Sequence, residues 1–212
     1  QALSRDQLAA LSNSQIASLS TTAVSSLSLT AIAALTTRQL GSLAATQFAA
    51  LTTTQIAGLS TAQIGSLTTT ELGGLSDTQI AALSSTQFGA LNAFQMQALT
   101  ATALAGLTQT QIASLTADQL EMLSASQVGS LTATQLNSLS ATQLASLATT
   151  QIQGLASSKI PALTTTLLAA LPETLLAAFT ATEIAALTST QVAALSTTQI
   201  ATLSTQQVTA IS

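Results

Sequence analysis

Leucine returns every eighth residue from Leu3 to Leu203, with no insertion or deletion; only Phe179 and, one step further, Ile211 take its place. Residues 3–210 are therefore 26 uninterrupted octads. Self-similarity at one fixed period is the signature of a stacked-repeat architecture, in which a unit too small to bury its own apolar face packs on its neighbours. With leucine as position one, position two is Ser or Thr except at Ala44, Asn92, Ala148, Ala156 and Pro172. Position five is Gln or Glu except at Ala23, Ala31, Ala103, Lys159, Leu167 and Leu175. Position six is always Leu, Ile, Val, Phe or Met, and positions seven and eight are nearly all Ala, Gly or Ser.

Ser or Thr followed three residues later by Gln or Glu is the pattern of a helix capping box: the hydroxyl accepts from the N3 backbone N–H, and the N3 side chain reaches back to the N-cap N–H. Leucine just before the cap and the apolar residue at position six make the matching hydrophobic staple. Leu51-Thr52-Thr53-Thr54-Gln55-Ile56 is one instance, and 17 octads carry both box residues in a single phase. One match to so short a pattern is weak; this many in register predict a helix start in each octad.

Three backbones compete for an eight-residue phrase. A continuous α-helix advances about 100° per residue, so its apolar stripe would drift by about 80° per octad and face no common partner. A coiled coil needs a repeat near 3.5 residues, and two turns over eight residues give about 4.0. A β-solenoid is the alternative fold, since Thr is abundant, but positions one and six would point to opposite faces of a flat strand. It also wants Gly and Asn at its corners, whereas Ala, Leu and Gln are helix formers. The reading adopted is all-α: a solenoid of very short capped helices, one per octad, running from position three to about position eight. Positions one and six point inward, and small residues at seven and eight allow close approach. Such a helix is far below the roughly 12–15 residues of marginal independent stability, so the units must stack.

Composition narrows the function. Charged residues are 5% of the chain and the net charge is −4, which argues against nucleic acid or anionic lipid as partner. Ser, Thr or Gln breaks every octad, so no run approaches the roughly 18 apolar residues of a spanning helix. Cys and His are absent, which removes redox constraint and the common metal ligands. Arg5, Arg38 and Lys159 are the only cations. Asp118 and Glu121, three apart, have no third ligand or base nearby. Hydroxyls are plentiful, yet no base stands ready to activate one. The expectation is a protein that is not an enzyme, with no cofactor, no metal site and no small-molecule substrate. No basic or apolar leader precedes the array, which begins at Gln1 without Met. A single continuous array, cut from a longer chain, is expected over residues 1–212.

The phrase departs most between residues 155 and 178: LASSKIPA, LTTTLLAA, LPETLLAA. Pro161 lies late in its unit, where it should kink or end the helix. Pro172 takes the N-cap slot, and Leu167 and Leu175 replace Gln and widen the apolar face. Phe94 stands where Thr is usual. These five residues are the candidates for an assembly contact or a bend, against the simpler reading of drift among repeats.

LTTTQIAG, LSTTQIAT and LTATQLNS resemble the long Ser/Thr/Gln/Ala/Leu tandem repeats of large surface or secreted proteins of Gram-negative bacteria. The resemblance implies an extracellular or cell-surface structural role and no functional residues. The expected function is thus a spacer, stalk or filament of a bacterial surface appendage, with self-association as the partner interaction. The alternative is a surface-binding module in which the recurring Thr46, Thr54, Thr70, Thr78 and Thr86 meet ice, glycan or another ordered surface.

Overall fold

The structure, a computed structural model, describes residues 3–211 apart from the side chain of Arg5. Among the described residues there is no strand; short α-helices and one 3-10 helix, Ser157–Ala162, follow one another at the octad interval. The β-solenoid is thereby excluded, and the fold is an all-α solenoid of very short helices.

The local cause is legible in one octad. Thr52 is extended, with φ −71° and ψ 157°. Its Oγ1 accepts from the Gln55 N–H at 3.2 Å, and Gln55 Oε1 accepts from the Thr52 N–H at 2.8 Å. Two of the helix's orphan donors are satisfied at once. The helix Thr53–Ala57 ends on Gly58, still right-handed at φ −81° and ψ −7°. Leu59 N–H then donates to the Ile56 carbonyl at 3.1 Å, an i→i−3 bond that tightens the last turn. Position one returns to the extended region, as at Leu35 with φ −60° and ψ 132°, and the next cap begins. No described residue has a positive φ. The corner needs no left-handed residue, which is why glycine is not fixed at any one place in the phrase.

The described chain forms two compact units, Gln1–Leu107 and Thr108–Ser212, and the octad phase passes the boundary unchanged. Within each, a helix packs against the helix three octads further on. In the first unit Arg5–Ala9 meets Leu29–Ala34, and Asp77–Ala81 meets Ala101–Ala105. In the second, Ala125–Ser130 meets Thr149–Ile152, and Ala181–Ala185 meets Thr205–Ala210. Position-six side chains such as Ile56, Leu72 and Phe88 are completely buried, and position-one leucines such as Leu51, Leu59 and Leu91 nearly so. Burial of these two side chains per octad is the main apolar driving force. Thr53 and Thr54, at positions three and four, are exposed.

Glycine matters where turns touch. A Cβ on Gly129 would run into the carbonyl of Gly154, and one on Gly154 into the carbonyl of Ala125. Gly106 abuts the backbone of Asp77 in the same way. At these places the absence of a side chain lets backbone meet backbone.

Candidate functional site

The residue type with most to do in this molecule is the position-five glutamine. Gln55 is 2% exposed, although it is polar and lies on a five-residue helix. Its Oε1 holds the cap of its own helix. Its Nε2 donates to the carbonyls of Val24, Ser25 and Leu27 at 3.1, 3.3 and 2.8 Å, residues 31, 30 and 28 positions earlier. The last carbonyls of a helix have no partner within it. One amide therefore caps the start of its own helix and the end of a helix in the preceding turn.

The same separations recur throughout both units. In the first, Gln47 reaches Ile16, Ala17 and Leu19, and Gln79 reaches Phe48, Ala49 and Leu51. In the second, Gln143 reaches Ile112, Ala113 and Leu115, and Gln207 reaches Ala177 and Phe179. Separations of 28 to 31 residues fall between three octads and four, so one turn takes that many units. Gln7 and Gln15 keep the cap bond and are exposed; the positions 28 to 31 residues before them are not among the described residues. This second role of the glutamine was missed by sequence reasoning. The available signal was the choice of amide: a capping box accepts Glu or Gln, yet only Glu71 and Glu183 are acids at this position. A strong preference for the amide marks a need for a donor as well as an acceptor.

The irregular octads obey the same donor-and-acceptor account. Lys159 cannot accept at a cap, and the Ala156 before its helix makes no side-chain cap. Its Nζ still donates to the carbonyls of Gly129 and Leu131, and burial pushes its pKa below the usual lysine value. Pro161, expected to kink or end its helix, is exposed inside a segment that continues to Ala162, wound as 3-10. Leu167 cannot accept from the N–H of its N-cap, Thr164. Asn137 in the preceding turn does so instead, Oδ1 accepting from Thr164 N–H at 2.9 Å while Nδ2 donates to the Ala162 carbonyl at 3.0 Å. Leu175 follows an N-cap, Pro172, that has no N–H at all. The replacements Leu167 and Leu175 are thus each matched by a second change that accounts for the donor they abandon.

Leu167 and Leu175 are buried, and Leu167 lines a small apolar pocket with Leu136, Leu144, Ile152, Leu163 and Phe179. Neither side chain offers its surface to another molecule. Phe94 does: it is 70% exposed on the helix Ala93–Gln97 of the first unit. Asp118 and Glu121 are both exposed, and among the described residues no cluster of acids, His or Cys is arranged to hold a metal. An open groove in the second unit is lined by amides and hydroxyls, Gln153, Thr180, Thr202, Ser204 and Gln206 among them. Among the described residues no helix is long and apolar enough to cross a membrane.

Among known protein families, the chain matches the ALTTAQ repeat at residues 32–69, 45–76, 61–93 and 169–205. The matches fall in both units, and the six letters read closely onto Ala50–Gln55, which is the C-cap, the buried leucine and the capping box. The chain is a tandem octapeptide-repeat protein. No curated protein matches it.

Proposed function

We propose that this chain of tandem ALTTAQ-like repeats is a structural segment, a spacer, stalk or filament element of a bacterial extracellular or cell-surface appendage, and that it associates with copies of itself. The observation that supports this reading is the glutamine ladder. Each rung uses both ends of its amide within the chain, Oε1 on its own cap and Nε2 on the turn before. The buried polar chemistry is consumed in joining one octad to others, as expected where the product is length. The nearly uncharged exterior offers little mutual repulsion to a second copy. Light scattering and negative-stain microscopy of native material, with immunogold labelling of intact cells, test both parts. Label on external structures and assemblies larger than one chain are expected; discrete monomers, or label confined to the cell interior, would overturn the respective part.

A second reading has one observation in its favour: Thr46, Thr54, Thr70, Thr78 and Thr86 are all exposed. A regularly spaced set of exposed hydroxyls suits binding to ice or glycan. Thermal-hysteresis and glycan-array assays decide it, and two blank results would remove it.

A further inference from the structure

Glu71 occupies position five of its octad and is 1% exposed. Its Oε2 accepts from the Thr68 N–H at 2.6 Å and from Thr68 Oγ1 at 2.8 Å, which completes the cap as a glutamine Oε1 does. Its other oxygen, Oε1, is buried and has no hydrogen-bond partner. The rungs on either side indicate what that oxygen faces. Gln63 donates to the carbonyls of Ile32 and Leu35, and Gln79 to those of Phe48, Ala49 and Leu51. The same register brings Leu40, Gly41 and Leu43 opposite Glu71. An atom bearing only lone pairs therefore stands where glutamine presents N–H to a row of acceptors. Buried oxygens facing one another without a hydrogen are costly. A single proton converts the contact into an O–H···O bond, and the neutral acid has nearly the shape of glutamine.

We propose that the folded first unit holds Glu71 as the neutral carboxylic acid, donating from Oε1 to the carbonyl row at Leu40–Leu43, and that losing this proton loosens the rung. The position acts as a pH-sensitive joint in the first unit's ladder. Nothing charged from the neighbouring elements is buried beside it. The helix packed against it, Ala45–Ala49, has no ionisable residue, nor has Ala93–Gln97, three octads on. Arg38, on the helix Thr37–Leu40 that carries part of the carbonyl row, is exposed. Asp77, on the following helix, is exposed and its Oδ1 accepts from the Thr78 N–H. Burial raises the Glu71 pKa above its ordinary value, and the Thr68 bonds pull it partly back. The folded value therefore lies above the unfolded one. The rung's stabilisation is complete below the ordinary carboxylate range and is lost as pH rises from there to the folded value.

Urea unfolding and amide hydrogen exchange of the full chain, followed from acid to mildly alkaline pH, test this in wild type, Glu71→Gln, Glu71→Leu and Glu183→Gln. In wild type the unfolding constant of the first unit is expected to rise by up to about tenfold per pH unit across that window. Glu71→Gln should abolish that rise and make the first unit the more stable at the alkaline end. Glu71→Leu, a residue the chain already uses at Leu167 and Leu175, should also abolish the rise without supplying a donor. Glu183→Gln should leave the first unit's profile as it is. Infrared difference spectra should show a protonated-carboxyl band in wild type that is absent from Glu71→Gln. A wild-type slope retained in Glu71→Gln or in Glu71→Leu, or the lack of that band at mildly acidic pH, would overturn the proposal.

Discussion

At the scale of single residues, one side chain does different work according to what lies behind it. Gln55 and Gln15 both close a capping box, but among the described residues only Gln55 of the two holds a previous turn. Gln55→Ala should cost about 2–4 kcal/mol, because it leaves the Thr52 N–H and the carbonyls of Val24 and Leu27 without their partner. Gln15→Ala removes an exposed cap bond alone and should cost about 0.5–1 kcal/mol. Chemical denaturation of the two variants checks the contrast, and equal costs would refute the inter-turn role. Glycine divides in the same manner. Gly154→Ala drives a methyl group into the Ala125 carbonyl and should destabilise by about 1–3 kcal/mol. Gly89 has open space where its Cβ would be, so Gly89→Ala should stabilise by about 0.5–1 kcal/mol through helix propensity. Melting temperatures that move in opposite directions are the expected result.

At the scale of the element, the octads between residues 155 and 178 show which parts of the phrase can be exchanged. In these octads the source of the cap acceptor is secondary. Gln supplies it locally, Asn137 supplies it to Thr164 from another turn, and Pro172 abolishes the demand. Asn137→Ala should therefore cost about 1 kcal/mol in the wild-type background, and much less when Leu167→Gln restores a local acceptor. Likewise Pro172→Thr should be better tolerated together with Leu175→Gln than alone. Double-mutant cycles measure both couplings; additive costs would mean that the paired changes are independent. The position-one leucine, the inward position six and the capping box could be read from spacing, because each is completed within a few residues. Asn137 as a compensating acceptor could not, since it lies 27 residues from the N–H it serves.

At the scale of the whole molecule, near-identity of the units makes each turn able to seat on almost any other. Removing one entire octad, such as Leu51–Gly58, shifts the glutamines of the next turn onto equivalent carbonyls and preserves the inward phase. Removing the four residues Thr52–Gln55 displaces the leucines and glutamines of the next turn from their register with the turn before. Circular dichroism and urea unfolding should show the octad deletion folded, with helical signal per residue unchanged, and the four-residue deletion largely unfolded or reduced to its flanking segments. A stable four-residue deletion would contradict the dependence on register. That dependence is the physical reason for uninterrupted spacing over 26 octads: in a stacked array an error in phase breaks the contacts of the whole turn that spans it.

From the residues in order, the helix starts, their interval and the two buried positions were determined, since a cap and a staple close within one phrase. What only the tertiary structure decided is how many octads make a turn and where the glutamine Nε2 goes. Those bonds join atoms 28 to 31 residues apart. Among nearly identical octads, periodicity alone does not specify which unit meets which. The packing of Leu and Ile side chains, and the close approach of backbone at Gly129 and Gly154, select the pairing that brings the amide to its carbonyls.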